Sequence, residues 1–256
     1  MKQRIITAIV MCIILIPLII IGGLPFEILI ALLACLSLKE ILDKKEIKIP
    51  FLIKVLSYLS IVLLTLSSDA IVPCITLILL FIYIPIIFIK DSEYNFDIAS
   101  FLFGIIIFIG ICFYTISNIR ITSLDEFIYI ISITILTDTF AYVGGKLLGK
   151  HKLIPRVSPN KTIEGSVIGS LVGTIIPSIY YLFMVDPGMN MPIIIIITLV
   201  ISILGQLGDL LFSSIKRYYK TKDFSNLLPG HGGILDRFDS VLIASIVYVI
   251  IKTLFL

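Results

Sequence analysis

Apolar residues fall into long blocks along this chain, broken by short polar stretches. The first block covers residues 5–22 and stops at Gly22-Gly23-Leu24-Pro25; the second covers 25–38, its end marked by Lys39-Glu40. Further blocks cover 51–67, 71–89, 99–117, 125–145 and 165–184, then Pro192 to about Ser214, and finally 238–255. Runs of roughly 20 apolar residues cross the hydrocarbon core of a bilayer as helices. The pattern therefore predicts an all-α, polytopic integral membrane protein with about nine transmembrane helices. Ser67-Ser68-Asp69 is read as the turn between the third and fourth spans, and Asp186-Pro187-Gly188 as the turn between the seventh and eighth. The segments 39–54, 90–98 and 146–163 are read as loops.

Composition supports this reading. Of 256 residues, 59% are hydrophobic, and the mean hydropathy is +1.15. A soluble chain is nearer 45–50% apolar. Most of the length is taken up by spans, which excludes a soluble enzyme and leaves no room for a separate soluble domain. Charge then sets orientation. With nine spans and a cytoplasmic N-terminus, 18 of the 20 Lys and Arg fall on the cytoplasmic side, and only Arg120 and Lys252 fall outside. The positive-inside rule selects that arrangement. The four cysteines, Cys12, Cys35, Cys74 and Cys112, all lie in apolar runs without CxxC or Cys/His pairing, and read as small buried hydrophobes. The first apolar run reads as a retained helix, because no small-x-small cleavage site stands out and the next span follows at once.

The uncharged background makes one stretch conspicuous. Residues 205–240 pack in Asp209, Lys216, Arg217, Lys220, Lys222, Asp223, His231, Asp236, Arg237 and Asp239. Asp209 lies inside an apolar helix. A carboxylate costs at least ~2.5 kcal/mol at the bilayer centre, so it is expected to be paired or metal-bound. Helical spacing places Gln206, Asp209, Ser213 and Lys216 on one face. Asp138 repeats the theme in the sixth span, near its cytoplasmic end. Before the seventh span, Ser158-Pro159 suits an N-cap and first helical position, and Lys161 beside that helix start would make an anion site. Pro229-Gly230-His231-Gly232-Gly233 is a flexible turn whose backbone could approach a phosphate. Asp236 and Asp239 share one face of the ninth span, and carboxylates in such numbers suit Mg2+, which shares its oxygens with substrate phosphates. The two histidines, His151 and His231, cannot build a typical zinc site without cysteines nearby. Carboxylates with several cations at a membrane surface suit phosphoryl or nucleotidyl transfer. A transporter stays open on these residues alone, since intramembrane carboxylates also mark ion pathways.

The order Ser213-Ser214-Ile215-Lys216-Arg217, then Lys222-Asp223, then Pro229-Gly230-His231-Gly232-Gly233-Ile234-Leu235-Asp236-Arg237-Phe238-Asp239 resembles the signature of the phosphatidate cytidylyltransferase (CDP-diacylglycerol synthase) family. A second block, Ser158-Pro159-Asn160-Lys161-Thr162-Ile163-Glu164-Gly165, is similar to another block of that family, with Asn160 where lysine is common. The resemblance covers about residues 136–250. It implies an N-terminal region of transmembrane helices, 1–120, and a C-terminal region, 121–256, carrying a cytoplasmic active site in a bacterial cell membrane.

The resemblance also implies an activity: transfer of the cytidylyl group of CTP to phosphatidic acid, giving CDP-diacylglycerol and pyrophosphate with Mg2+. Asp209 and Asp236 would hold the metal with Asp239 close by. Lys216, Arg217, Lys222 and Arg237 would bind phosphates, with His231 in the catalytic set. Ser158, Lys161, Thr162, Glu164, Asp223 and Asp138 would complete the substrate site. CTP, phosphatidic acid and the bilayer are the expected partners, a homodimer is expected by analogy, and no nucleic acid is. The competing reading is a CTP-using lipid kinase of the dolichol kinase type, which would release CDP. The DG-x-x-AR pattern of CDP-alcohol phosphotransferases is absent.

Overall fold

The computed structural model describes residues 2–45, 49–66 and 94–255. Eight helices account for almost all of them: α1 (Lys2–Ile21), α2 (Gly23–Lys45), α3 (Phe51–Thr65), α4 (Phe96–Thr122), α5 (Leu124–Leu148), α6 (Ile163–Met184), α7 (Met191–Tyr218) and α8 (Leu235–Phe255). A small antiparallel hairpin, β1 (Lys152–Ile154) with β2 (Ser158–Thr162), separates α5 from α6. Helices dominate because a backbone in lipid must satisfy every N–H and C=O within its own segment. The last five, α4 to α8, are each long and apolar enough to cross a membrane. Only 33–44% of each of their apolar windows is buried within the protein. So much exposed apolar surface is untenable in water and ordinary against lipid. Eight of the predicted spans fall on helices, with α2 running well past the predicted end of its span; among the described residues, α4 to α8 are the ones long and apolar enough to cross a membrane. The fourth predicted span, 71–89, and its turn at 67–69 lie outside the described residues.

Two expectations are corrected. The loop placed at 39–54 begins later, because α2 runs on through Lys39-Glu40 to Lys45. Glu40 is 4% exposed, and its carboxylate is fully engaged, as described below. Ser158-Pro159 does not start a helix either. Both lie in β2, where Pro159 is tolerated on a two-stranded edge. The N-cap of α6 is Thr162, whose hydroxyl accepts from Gly165 N at 3.1 Å. The segment read as a 146–163 loop thus holds the end of α5 and the hairpin.

The chain divides into two compact units. The first comprises residues 1–118 together with 224–235. Its core includes Phe26, Leu38, Ile53, Ile61, Leu102, Phe113 and Phe224. Glu40 organises the 224–235 segment: it accepts from Ser225 Oγ at 2.6 Å, Ile234 N at 2.8 Å and Leu235 N at 3.1 Å. The preceding turn closes by a Leu228–Gly232 bridge, with Gly230 and Gly232 at φ 77° and 87°, a region that glycine enters without steric cost.

The second unit comprises residues 119–223 and 236–256. Its centre is the α5–α6 pair. Small residues let the two backbones approach, as is common between membrane helices. A Cβ added at Gly165 or Gly169 would lie 2.5 Å from the carbonyl oxygen of Ala141 or Thr137 respectively. Buried hydroxyls tie α7 to this pair. Thr198 Oγ1 meets Tyr129 Oη at 2.7 Å and accepts from Ser178 Oγ at 2.9 Å. One turn on, Ser202 meets Thr137 at 2.8 Å. Such interhelical bonds average about 0.6 kcal/mol each in membrane proteins. They act here mainly to fix the register of α7, and hence of its functional residues.

Candidate functional site

The hydroxyl ladder on α7 continues as a functional stripe. After Thr198 and Ser202 the same face presents Gln206, Asp209, Ser213 and Lys216, as the helical spacing predicts. Gln206 is buried and fully committed. Its Oε1 accepts from Ser166 Oγ at 2.6 Å, and its Nε2 donates to Ser170 Oγ at 2.7 Å. Its amide is therefore locked, and the next turn of α7 opens into a cavity of about 490 Å3 in the second unit.

Five carboxylates line this cavity: Asp138 from α5, Asp209 from α7, Asp223 from the segment that follows α7, and Asp236 and Asp239 from the first turns of α8. Facing them are Lys146, Lys161, Lys216 and Arg237. Two ion pairs form across the space. Lys161 Nζ contacts Asp209 Oδ2, and Lys216 Nζ lies 2.8 Å from Asp236 Oδ1. Ser213 Oγ donates to Asp209 Oδ1 at 3.3 Å, and Ser240 Oγ donates to Asp138 Oδ2 at 3.2 Å. Asp239 lies in the fields of Asp209 and Asp138, opposed by the Lys216 ammonium. Mutual repulsion among carboxylates in an apolar surrounding favours cations, supplied here by lysines and open to divalent ions.

Of the residues singled out in the sequence, Asp138, Lys161, Thr162, Asp209, Lys216, Asp223, Asp236, Arg237 and Asp239 converge on this one cavity. Several others are engaged elsewhere. Arg217 Nε donates to Val157 O and its Nη1 to Thr221 O, each at 3.1 Å, so it braces the hairpin against the end of α7. Glu164 accepts from the backbone N–H of Lys150 at 3.1 Å and meets the His151 ring at 2.6 Å, closing the base of the same hairpin. Ser158 lies at the start of β2 and is paired with Ile154. Lys222 is exposed. His231 lies in the glycine turn of the first unit, its backbone N donating to Leu228 O at 2.8 Å. None of these five lines the cavity.

Ser166, Ser170 and Ser240, which carry no charge to single them out in the sequence, orient Gln206 and Asp138. The four-residue spacing of Ser166 and Ser170 on α6 was the available signal. Tyr142 and Lys146, which follow Asp138 on α5, also line the cavity.

Among the described residues no group of three or more His, Cys, Asp or Glu is arranged to hold a metal by itself. The cavity nonetheless suits a hard cation. Mg2+ binds through one or two carboxylates and completes its shell with water and substrate phosphates, and Asp209, Asp236 and Asp239 offer such oxygens in one space.

Comparison with known proteins bears on what the cavity handles. The model of the cytidylyltransferase family matches residues 2–255. The chain is 38% identical over 246 residues to a phosphatidate cytidylyltransferase of Staphylococcus haemolyticus, covering 94% of each chain. Proteins of the same name from Staphylococcus aureus and Staphylococcus epidermidis match with the same identity and coverage.

Proposed function

The chain belongs to the cytidylyltransferase family, and on that premise we propose that it transfers the cytidylyl group of CTP to phosphatidate, releasing pyrophosphate and forming CDP-diacylglycerol. The observation that carries this reading is the convergence of five aspartates with Lys146, Lys161, Lys216 and Arg237 on one cavity walled by apolar helices. Such a site can bring two phosphate-bearing molecules together, one of them a lipid.

The main obstacle to this reaction is repulsion between anions. A phosphate oxygen of phosphatidate attacks the α-phosphorus of CTP; the new P–O bond forms as the bond to the β-phosphate oxygen breaks, and the electron pair leaves on pyrophosphate. The attacking oxygen is already anionic near neutral pH, so no strong general base is needed. Lys161, Lys216 and Arg237 would neutralise phosphate oxygens as charge shifts toward the leaving group. Asp209 and Asp236, with Asp239 close by, would hold Mg2+. When bound there, the ion supplies further charge neutralisation and aligns the triphosphate. Thr162 and Asn160 would close the nucleotide side from the hairpin. Arg217 and Glu164 would act by holding that hairpin in place.

The clustering of Lys and Arg supports a cytoplasmic site in a bacterial cell membrane, the side on which CTP is found. A homodimer is proposed by family analogy alone. The shared name of the relatives favours nucleotidyl transfer over the lipid-kinase and transporter alternatives.

The test is pyrophosphate release from purified protein in detergent, with CTP, Mg2+ and phosphatidate each omitted in turn. The reading expects release that needs all three, with a CDP-lipid appearing. Release of CDP with a newly phosphorylated lipid would contradict it.

A further inference from the structure

Two lysine–aspartate pairs share one cavity but differ in depth. The side chains of Lys216 and Asp236 are 10% and 3% accessible; those of Lys161 and Asp209 are 30% and 21% accessible. Separating a buried pair strands an uncompensated charge, whereas a partly solvated pair parts with water taking up both ends. The backbone that carries Lys161 is fixed on both sides. It lies in β2, directly before the Thr162 cap, and the hairpin is held through Val157 by Arg217. Only the four-carbon stem of Lys161 needs to move for its ammonium to change partner. A triphosphate entering the same space offers that ammonium far more negative charge than one carboxylate does.

Building on the assignment of CTP as substrate, we propose that Lys161 is an exchangeable counter-ion. Before nucleotide binds, it neutralises Asp209. When CTP binds, its ammonium passes to the triphosphate and leaves the Asp209 carboxylate open to a divalent cation. The deeper Lys216–Asp236 pair is not part of this exchange. The exchange lets Asp209 sit in an apolar helix without an uncompensated charge, yet makes it a metal ligand only once the triphosphate is in place. Lys161 and Asp209 therefore act as a coupled pair toward nucleotide, not as two independent contacts.

The test is a double-mutant cycle read by equilibrium binding of radiolabelled CTP in EDTA, without turnover. It uses the unaltered protein, Lys161→Ala, Asp209→Asn and the double variant. Exchange predicts that Lys161→Ala weakens metal-free CTP binding less in the unaltered protein than in the Asp209→Asn background, because in the unaltered protein part of that lysine's attraction goes to breaking its contact with Asp209. Asp209→Asn tightens CTP binding about tenfold, and adding Lys161→Ala to it removes the gain, a coupling within the usual range between linked sites. Simple removal of negative charge would instead give additive effects. Equal weakening by Lys161→Ala in both backgrounds would mean a constant phosphate contact and would overturn the exchange, while leaving the substrate assignment intact. Failure of CTP to bind the unaltered protein even with Mg2+ would overturn both. Mn2+ binding without nucleotide, followed by electron paramagnetic resonance, gives a second readout from Lys161→Ala alone: the exchange expects tighter Mn2+ binding, and unchanged or weaker binding contradicts it.

Discussion

Lys216 on α7 and Asp236 on α8 form a buried ion pair, 2.8 Å apart, between the two helices that carry most of the cavity carboxylates. Removing one partner of such a pair leaves a buried charge exposed to an apolar surrounding. Asp236→Ala and Lys216→Ala are each expected to cost about 3–5 kcal/mol of stability and to abolish turnover. The combined Lys216→Met and Asp236→Leu variant is expected to regain most of the stability and none of the activity. Thermal unfolding in detergent beside an activity assay checks both halves. Recovery of activity in the double variant would show that neither group touches substrate.

Asp209 makes a different demand. Its partner Lys161 is partly solvated, so Asp209→Asn is expected to insert and fold normally while losing about a hundredfold or more in turnover, the scale of a lost electrostatic contact to the reacting group. Excess Mg2+ should not restore the rate. Activity close to that of the unaltered protein would remove Asp209 from the proposed metal set.

The approach of α5 and α6 sets the cavity wall, and glycine sets that approach. Gly169→Leu forces the α6 backbone away from Thr137 and is expected to cost about 1–3 kcal/mol through overpacking. Gly104→Ala is the matched control. An added Cβ at Gly104 has nothing within 4 Å, so the change should be neutral or slightly stabilising. Melting temperatures of the two variants in the same detergent decide the matter, and equal effects would argue against close α5–α6 packing.

Glu40 is the acceptor for Ser225 Oγ and the backbone N–H groups of Ile234 and Leu235. Glu40→Ala strands these donors. Hydrogen bonds to a charged group are worth about 1.5–3 kcal/mol, so amide exchange at Ile234 and Leu235 should accelerate at least tenfold. Hydrogen-exchange mass spectrometry over residues 224–235 reads this directly, and unchanged protection would show that the segment holds itself.

Most of the helical architecture is legible in the sequence, because a span's length and apolarity are local properties. The functional stripe on α7 is legible for the same reason: Gln206, Asp209, Ser213 and Lys216 recur at helical spacing. What hides is whatever depends on distant partners. Glu40 reads as the polar end of a span, yet it is buried because residues 225, 234 and 235, nearly two hundred positions away, supply its hydrogen bonds. Ser158-Pro159 carries a sound local helix-start signal. Pairing of Lys152 with Thr162 outweighs it by keeping the strand extended as far as the true cap. The family resemblance makes Arg217 a phosphate ligand and Glu164 part of the substrate site, and only their contacts with Val157 and His151 show them bracing the hairpin.

The most direct test of the central claim follows the phosphorus atoms of CTP. Purified protein in detergent is given phosphatidate, Mg2+ and CTP radiolabelled at either the α or the γ position. Cytidylyl transfer predicts that the α label enters the lipid fraction as CDP-diacylglycerol and the γ label leaves as pyrophosphate. Lipid labelled from the γ position, with the α label left in free CDP, would contradict the account.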